Sequence, residues 1–254
     1  MLQNPAQSML LDLPAPHLEP LALGTLQRWT PDPQWPRAAL LWQLPEAFVC
    51  TSWALAGGPH CVTDRIVWLQ VNDADLPPHV CPTEYVAEAL AARSCQGALS
   101  FLTSAQLHGV RIATAQEQDL LATVVVTAGL GNALRAGDPA AWSPRVGTIN
   151  IACAVNASLS PRAQLEGLCL MTEAKTAAVF DAGILSRISG QPATGTGTDC
   201  QALASPSGFT PLEYVGKHTR MGSLIGKAVY EAVLEACLQW RSQYPQHCVL
   251  GKRP

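Results

Sequence analysis

The chain has 254 residues, enough to bury a core in one large domain or two small ones, and 48% are hydrophobic against 14% charged. That charge content is lean beside the quarter or so usual in soluble proteins, which argues against disorder and for an apolar surface or site. With 16 Lys+Arg against 19 Asp+Glu the net charge is −3, so the basic footprint of a nucleic-acid or anionic-membrane binder is missing.

No stretch reaches the roughly 18 uninterrupted apolar residues of a membrane span. The first basic residue is Arg28, which does not suit the charged start of a signal peptide. Nine cysteines are scattered without a C-x-x-C pair, a pattern of reduced thiols rather than of disulfides or zinc fingers. The expectation is a cytoplasmic protein with no membrane or nucleic-acid partner.

Residues 1–37 hold seven prolines and no sustained period, which predicts an irregular or extended lead-in. A single domain is expected over 38–241, with a tail at 242–254. Its first strands are Ala39–Leu44, Phe48–Leu55 and Arg65–Val71, bounded by Pro45, by Gly57-Gly58-Pro59 and by Asn72-Asp73. Thr83–Arg93 reads as a helix. Further strands follow at Ala98–Thr103, Val110–Ala115, Leu120–Thr127 and Thr148–Val155. Strands in runs with few helices between them predict an α+β fold: a mixed or antiparallel sheet packed by two or three helices.

Ser160-Pro161 is a helix start and Gly183 its stop. The helix between is apolar nearly all round and predicted to be buried. Glu173 and Lys175, two residues apart on it, point to different sides and cannot pair with each other, so each is expected to find its own partner or to titrate abnormally. A last helix runs from about Thr219 to Trp240. Gly222 and Gly226, one turn apart on it, predict close approach by another backbone or a ligand.

Three segments could carry chemistry. Thr194-Gly195-Thr196-Gly197-Thr198-Asp199 alternates glycine with hydroxyls and ends on a carboxylate, which suits either an anion-binding concavity of backbone N–H groups or a surface turn. It is neither a P-loop nor a dinucleotide fingerprint. His218, after Lys217 at the start of the last helix, is either a proton acceptor kept neutral by the helix dipole or a solvent-facing cap. The loop after Leu120–Thr127, with Asn132, Arg135 and Asp138, suits either a polar ligand or a turn closed by an Arg–Asp salt bridge. The histidines and cysteines show no metal-ligand spacing.

Taken together, AGLGNALRAGDPA (128–140), GTINIACAVNASLSP (147–161), MTEAKTAAVFDAGI (171–184), SGQPATGTGTD (189–199) and GKHTRMGSLIGKAVYEAV (216–233) resemble the adenosylcobinamide amidohydrolase family, over roughly residues 48 to 233. Thr51-Ser52 and Gly57-Gly58 are similar to a family segment as well. The resemblance implies hydrolysis of the amide that joins aminopropanol to the corrin ring, giving adenosylcobyric acid and 1-amino-2-propanol in corrinoid salvage. It implies a corrinoid substrate, whose cobalt belongs to that substrate; with no metal-ligand spacing in the sequence, no cofactor of the protein's own is expected.

An amidase needs a nucleophile or activated water, donors for the oxyanion and an acid for the leaving amine. For that reaction His218 is the expected base and acid, with Asp199 orienting it or the water and Thr194, Thr196 and Thr198 facing the oxyanion. Lys217 or Lys175 would stabilise charge, Glu173 is the reserve proton carrier, and a covalent route would use Thr198 or Ser52. Thr194, Gly195, Thr196, Gly197, Asn132, Arg135, Asp138, Ser52, Gly57 and Gly58 are the expected substrate contacts. Trp42, Trp53, Trp68 and Trp142 are either pocket walls or core. A non-catalytic corrinoid binder and a nucleotide-handling enzyme built on the threonine-glycine loop are the alternatives.

Overall fold

The computed structural model describes residues 17–33, 35–140 and 146–245. Expectations on residues 1–16, on Trp142 and on 246–254 lie outside them. The strands are β1 (His17–Pro20), β2 (Thr25–Trp29), β3 (Ala39–Ser52), β4 (His60–Gln70), β5 (Leu99–Thr103), β6 (Arg111–Glu117), β7 (Leu120–Ala128), β8 (Ala133–Leu134), β9 (Ile149–Val155), β10 (Gly195–Thr196) and β11 (Cys200–Pro206). The α-helices are α1 (Pro82–Ala92), α2 (Pro161–Asp181) and α3 (Arg220–Gln243).

Nine strands form one mixed sheet in the order β1-β2-β3-β11-β9-β7-β6, with β4 on the other flank of β3 and β5 beyond it, while β8 and β10 pair separately. β4–β5 and β9–β11 are parallel. Each parallel pair is connected through a helix, α1 or α2, because a parallel return needs a crossover. The fold is therefore the expected α+β single domain.

The sheet curls until β5 meets β9, where the Asn150 amide donates to the Leu102 carbonyl at 2.6 Å. Leu40, Trp42, Phe48, Trp68, Phe101, Ala152 and Ala204 fill the inside of the curl. On the outer face, Ile149, Ile151, Cys153 and Val155 of β9 pack under α2 and α3. Both faces of β9 are thus covered, and all seven of its residues are buried, as a run that is apolar apart from Asn150 requires. Elsewhere α1 covers Ala39, Leu41, Val67 and Leu69.

Three expectations are corrected. Residues 17–29 are not irregular: β1 and β2 form a hairpin, and β2 pairs with β3. Gly24, at φ +90°, makes its turn, and Pro20 is tolerated because it ends β1 at the sheet's edge. Secondly, Ala39–Leu44 and Phe48–Ser52 belong to one 14-residue strand, and Trp53–Leu55 lie beyond its end. Pro45 falls in a register shift between Gln43 and Phe48, the one kind of position where a proline survives inside a long strand. Finally, α2 is not buried all round, since Leu165, Cys169 and Phe180 are exposed.

The helix ends are as read from the sequence. The Ser160 and Thr219 hydroxyls accept from the N–H groups of Ala163 and Gly222, at 3.2 and 3.0 Å, and cap α2 and α3. Gly222 also answers its expectation, because a Cβ there would collide with the carbonyl oxygens of Val215 and Gly216.

Candidate active site

Where β5 ends and β9 and β11 begin, the mouth of the curl opens into a cavity of about 980 Å³. Trp53 and Leu55, Asn72 and Asp73, Ser100–Ser104, Asn132, Gly147–Thr148 with Asn150, and Gly197–Cys200 contribute to its wall. These segments are far apart in sequence. Parallel pairing of β9 with β11, with Asn150 opposite Cys200, brings two of the recognised motif blocks side by side.

The wall is braced by a buried ion pair. Lys175 Nζ on α2 lies 2.6 Å from Asp199 Oδ2, and the two side chains are only 8% and 9% exposed. The rest of the Asp199 carboxylate is also engaged: the Thr196 hydroxyl donates to Oδ1 at 2.5 Å, and the N–H groups of Thr196 and Ile149 donate at 3.1 Å. The threonine-glycine loop therefore closes on its own carboxylate instead of forming an open concavity for a ligand anion. Gly195 is required by this arrangement, since a Cβ there would strike Asp199 Oδ2 and lie 2.6 Å from Lys175 Nζ. The Thr198 hydroxyl donates to the Gly147 carbonyl at 2.9 Å, and the Thr148 hydroxyl to that of Thr198 at 2.9 Å. Trp53 Nε1 ties the end of β3 to the Asp199 carbonyl at 2.9 Å.

Other polar groups in the wall are unspent. Ser100 Oγ and Asn132 Oδ1 are buried without a hydrogen-bond partner among the described residues, which costs about 1–3 kcal/mol each unless a ligand or water supplies one. Gly147 makes room for Asn132, because a Cβ there would collide with Asn132 Oδ1. Asp73 sits on a 3-10 turn at the rim, exposed to solvent. The turn is clamped by a bidentate bond from Arg37 to Asp75, at 2.6 and 2.7 Å, and this bond holds the Asp75 carboxyl below the usual range. Cys200 also lines the cavity, but burial pushes its thiol up to about 11, so it stays protonated near neutral pH and is a poor nucleophile.

The structure separates the expected site residues into two groups. Asn132, Gly197, Thr198 and Asp199 line the cavity, and Lys175, Gly195 and Thr196 stand directly behind it. His218 is exposed ahead of α3 and is not in the cavity wall, and its neighbour Lys217 pairs with Glu173 on the solvent side of α2. The expected His218–Asp199 couple is therefore not formed: residues two apart on a helix diverge by about 200°, so Glu173 and Lys175 lead to opposite sides. Each does find its own partner, as expected. Arg135 and Asp138 make the turn reading: the Arg135 N–H donates to Asp138 at 2.9 Å and its guanidinium to the Pro192 carbonyl at 2.8 Å, with no Arg–Asp salt bridge. Thr194 accepts from the Ala136 N–H at 2.8 Å. Ser52 is buried and donates to the Gln201 carbonyl at 2.7 Å, while Gly57 and Gly58 pack against Leu99 and the Ala54 carbonyl. Of the tryptophans, Trp42 and Trp68 are core, and Trp53 faces the cavity. Sequence reasoning passed over Asp73 and Ser100, which lay in a strand terminator and a strand with no motif around them.

A braced cavity of this size, with a wall of amides, hydroxyls and apolar surface, lies within the range of small-molecule sites. The family model for adenosylcobinamide amidohydrolase matches residues 30–245, and the chain belongs to that family of amidohydrolases. It is also 31% identical over 157 residues to the uncharacterized protein MJ1613 of Methanocaldococcus jannaschii, a match covering 54% of this chain and 61% of that protein. The match thus spans about three fifths of the relative's length. A solved structure, the PH0078 protein of Pyrococcus horikoshii OT3, aligns over 89% of this chain and 82% of its own at 14% identity and a TM-score of 0.40, a likeness that carries no functional weight. Among the described residues no helix is long and apolar enough to cross a membrane.

Proposed function

We propose that this protein hydrolyses the aminopropanol amide of adenosylcobinamide, with the substrate in the 980 Å³ cavity. Water adds to the amide carbonyl, the C–N bond breaks, and 1-amino-2-propanol departs with a proton, leaving adenosylcobyric acid. The observation that carries this reading is that every segment of the cavity wall falls within the 30–245 stretch matched by the family. Asn132 Oδ1 and the Ser100 hydroxyl, otherwise unpaired among the described residues, bind the polar edge of the corrinoid. Asp73 takes the proton from water and returns it to the leaving amine, because Asp199 has no oxygen to spare. Lys175 and Asp199 are positioning residues that hold the threonine-glycine loop in the wall.

Purified protein mixed with adenosylcobinamide should release 1-amino-2-propanol in step with adenosylcobyric acid. Recovery of tightly bound but intact substrate would replace the hydrolase by a corrinoid-binding protein. His218→Ala should retain at least half of the parent turnover, since the imidazole is exposed and outside the cavity wall. A fall of about a hundredfold, the scale of a lost general base, would return His218 to the chemistry.

A further inference from the structure

Strands β3 and β4 carry a pair of thiols outside the candidate site. Cys50 and Cys61 stand directly opposite each other in the antiparallel register. Two residues further along that register the Ser52 N–H donates to the Pro59 carbonyl at 3.1 Å. Hydrogen-bonded and open pairs alternate along an antiparallel ladder, so Cys50 and Cys61 form a hydrogen-bonded pair with Cα atoms about 5.5 Å apart. That spacing lies inside the roughly 4.4–6.8 Å span of disulfide-bonded cysteines. Both side chains are on the inner face of the sheet, where Cys50 belongs to the apolar cluster within the curl and Cys61 packs against it.

The two sulfurs are in contact but not equivalent. Cys50 is buried, while Cys61 keeps partial exposure to solvent, and both are free thiols. The Cys50 S–H donates to the Cys61 sulfur, which holds the Cys61 thiol below its ordinary value against the opposing effect of burial. The same contact, together with burial, pushes the Cys50 thiol up. A second acceptor for that S–H is the Phe48 carbonyl at 3.7 Å, but a thiolate is the stronger one because it is charged. The accessible sulfur is thus the nucleophile and the buried one the proton donor beside it. Neither lines the cavity.

We infer that Cys50 and Cys61 form a redox-active dithiol, which a hydroperoxide oxidises to a disulfide between β3 and β4. The Cys61 thiolate attacks the peroxide, an S–O bond forms, the O–O bond breaks, and the departing oxygen leaves protonated. Cys61 is then a sulfenic acid. The Cys50 sulfur attacks the Cys61 sulfur, the S–S bond forms, and the S–O bond breaks to release water with the Cys50 proton. Two thiols have lost two electrons, and the peroxide has gained them. Cβ atoms about 4.5–5.5 Å apart in such a pair must close to about 3.5–4.5 Å, a small movement near the ends of two strands. Such a bond remains open to reduction by a dithiol.

The full-length protein is treated with hydrogen peroxide, its remaining thiols are alkylated, and it is digested with chymotrypsin, which cuts between the two cysteines after Trp53 and Leu55. Mass spectrometry should find the Cys50 and Cys61 peptides joined, and dithiothreitol should separate them. In Cys50→Ser the link should be lost and Cys61 should instead be labelled by dimedone, the reagent for sulfenic acids. Exposed Cys81 and Cys169 serve as internal references. Cys50 and Cys61 both recovered alkylated under conditions that oxidise Cys81 or Cys169 would overturn the dithiol. So would a disulfide that joins Cys61 to any cysteine other than Cys50. The parent protein decides the matter by itself, even if Cys50→Ser does not fold.

Discussion

Lys175→Met should lower the melting temperature by about 6–20 °C, whereas Lys217→Met should shift it by no more than about 4 °C. Both lysines pair with a carboxylate, and both pairs involve α2, so the contrast isolates burial. Removing one partner of a buried pair leaves a desolvated charge and costs about 3–5 kcal/mol. In a domain of this size each kcal/mol is worth about 2–4 °C. Asp199 would keep its three hydrogen bonds from Thr196 and Ile149, which places the effect toward the lower part of that range. The Lys217–Glu173 pair is 72% and 57% exposed. Solvent screening and side-chain entropy leave such a pair worth no more than about 1 kcal/mol. Thermal unfolding followed by circular dichroism measures both. Equal shifts in the two variants would mean that the Lys175–Asp199 contact does not brace the loop as described.

Asp73→Asn should cut kcat by about 10²–10⁴-fold, the usual contribution of a general acid–base group, with little change in melting temperature. The side chain is exposed on a turn whose shape is set by Arg37 and Asp75, so the fold does not depend on its charge. Asp199→Asn supplies the contrast. That carboxylate is engaged on every side, and losing it should lower stability and turnover together. If Asp73→Asn turns over at the parent rate, the proton carrier lies elsewhere in the wall. The covalent route through the Thr198 hydroxyl, which also lines the cavity, would then be the next to test.

Local rules served the sequence reading best where neighbours in the chain decide the outcome. The Ser160-Pro161 and Thr219 helix starts depend on a hydroxyl and the N–H three residues on, and β9 depends on a run that is apolar but for Asn150, so both were legible. Separate partners for Glu173 and Lys175 followed from helix geometry alone. The reading failed where a distant strand intervenes. Prolines before residue 37 masked the β1–β2 hairpin, because the value of β2 lies in its pairing with β3. Pro45 looked like a terminator, because nothing local shows that β4 continues past the bulge.

By itself the sequence determined the α+β class, the two long helices, the motif blocks and, through them, the family. Each depends on residue identity or on spacing within one element. Only the tertiary structure decided which polar side chains share a cavity. Asp199 and His218 are nineteen residues apart and were both assigned to the catalytic machinery, yet one immediately precedes a strand in the middle of a curled sheet and the other precedes a helix on its outer face. That choice is made by parallel pairing of β9 with β11 and by the side of α2 that faces them. Asp73 and Ser100 enter the same wall through the crossover from β4 to β5, which no local pattern encodes. Convergence of segments distant in the chain is a property of the packed sheet, and it emerges only when the apolar faces on both sides of that sheet are buried at once.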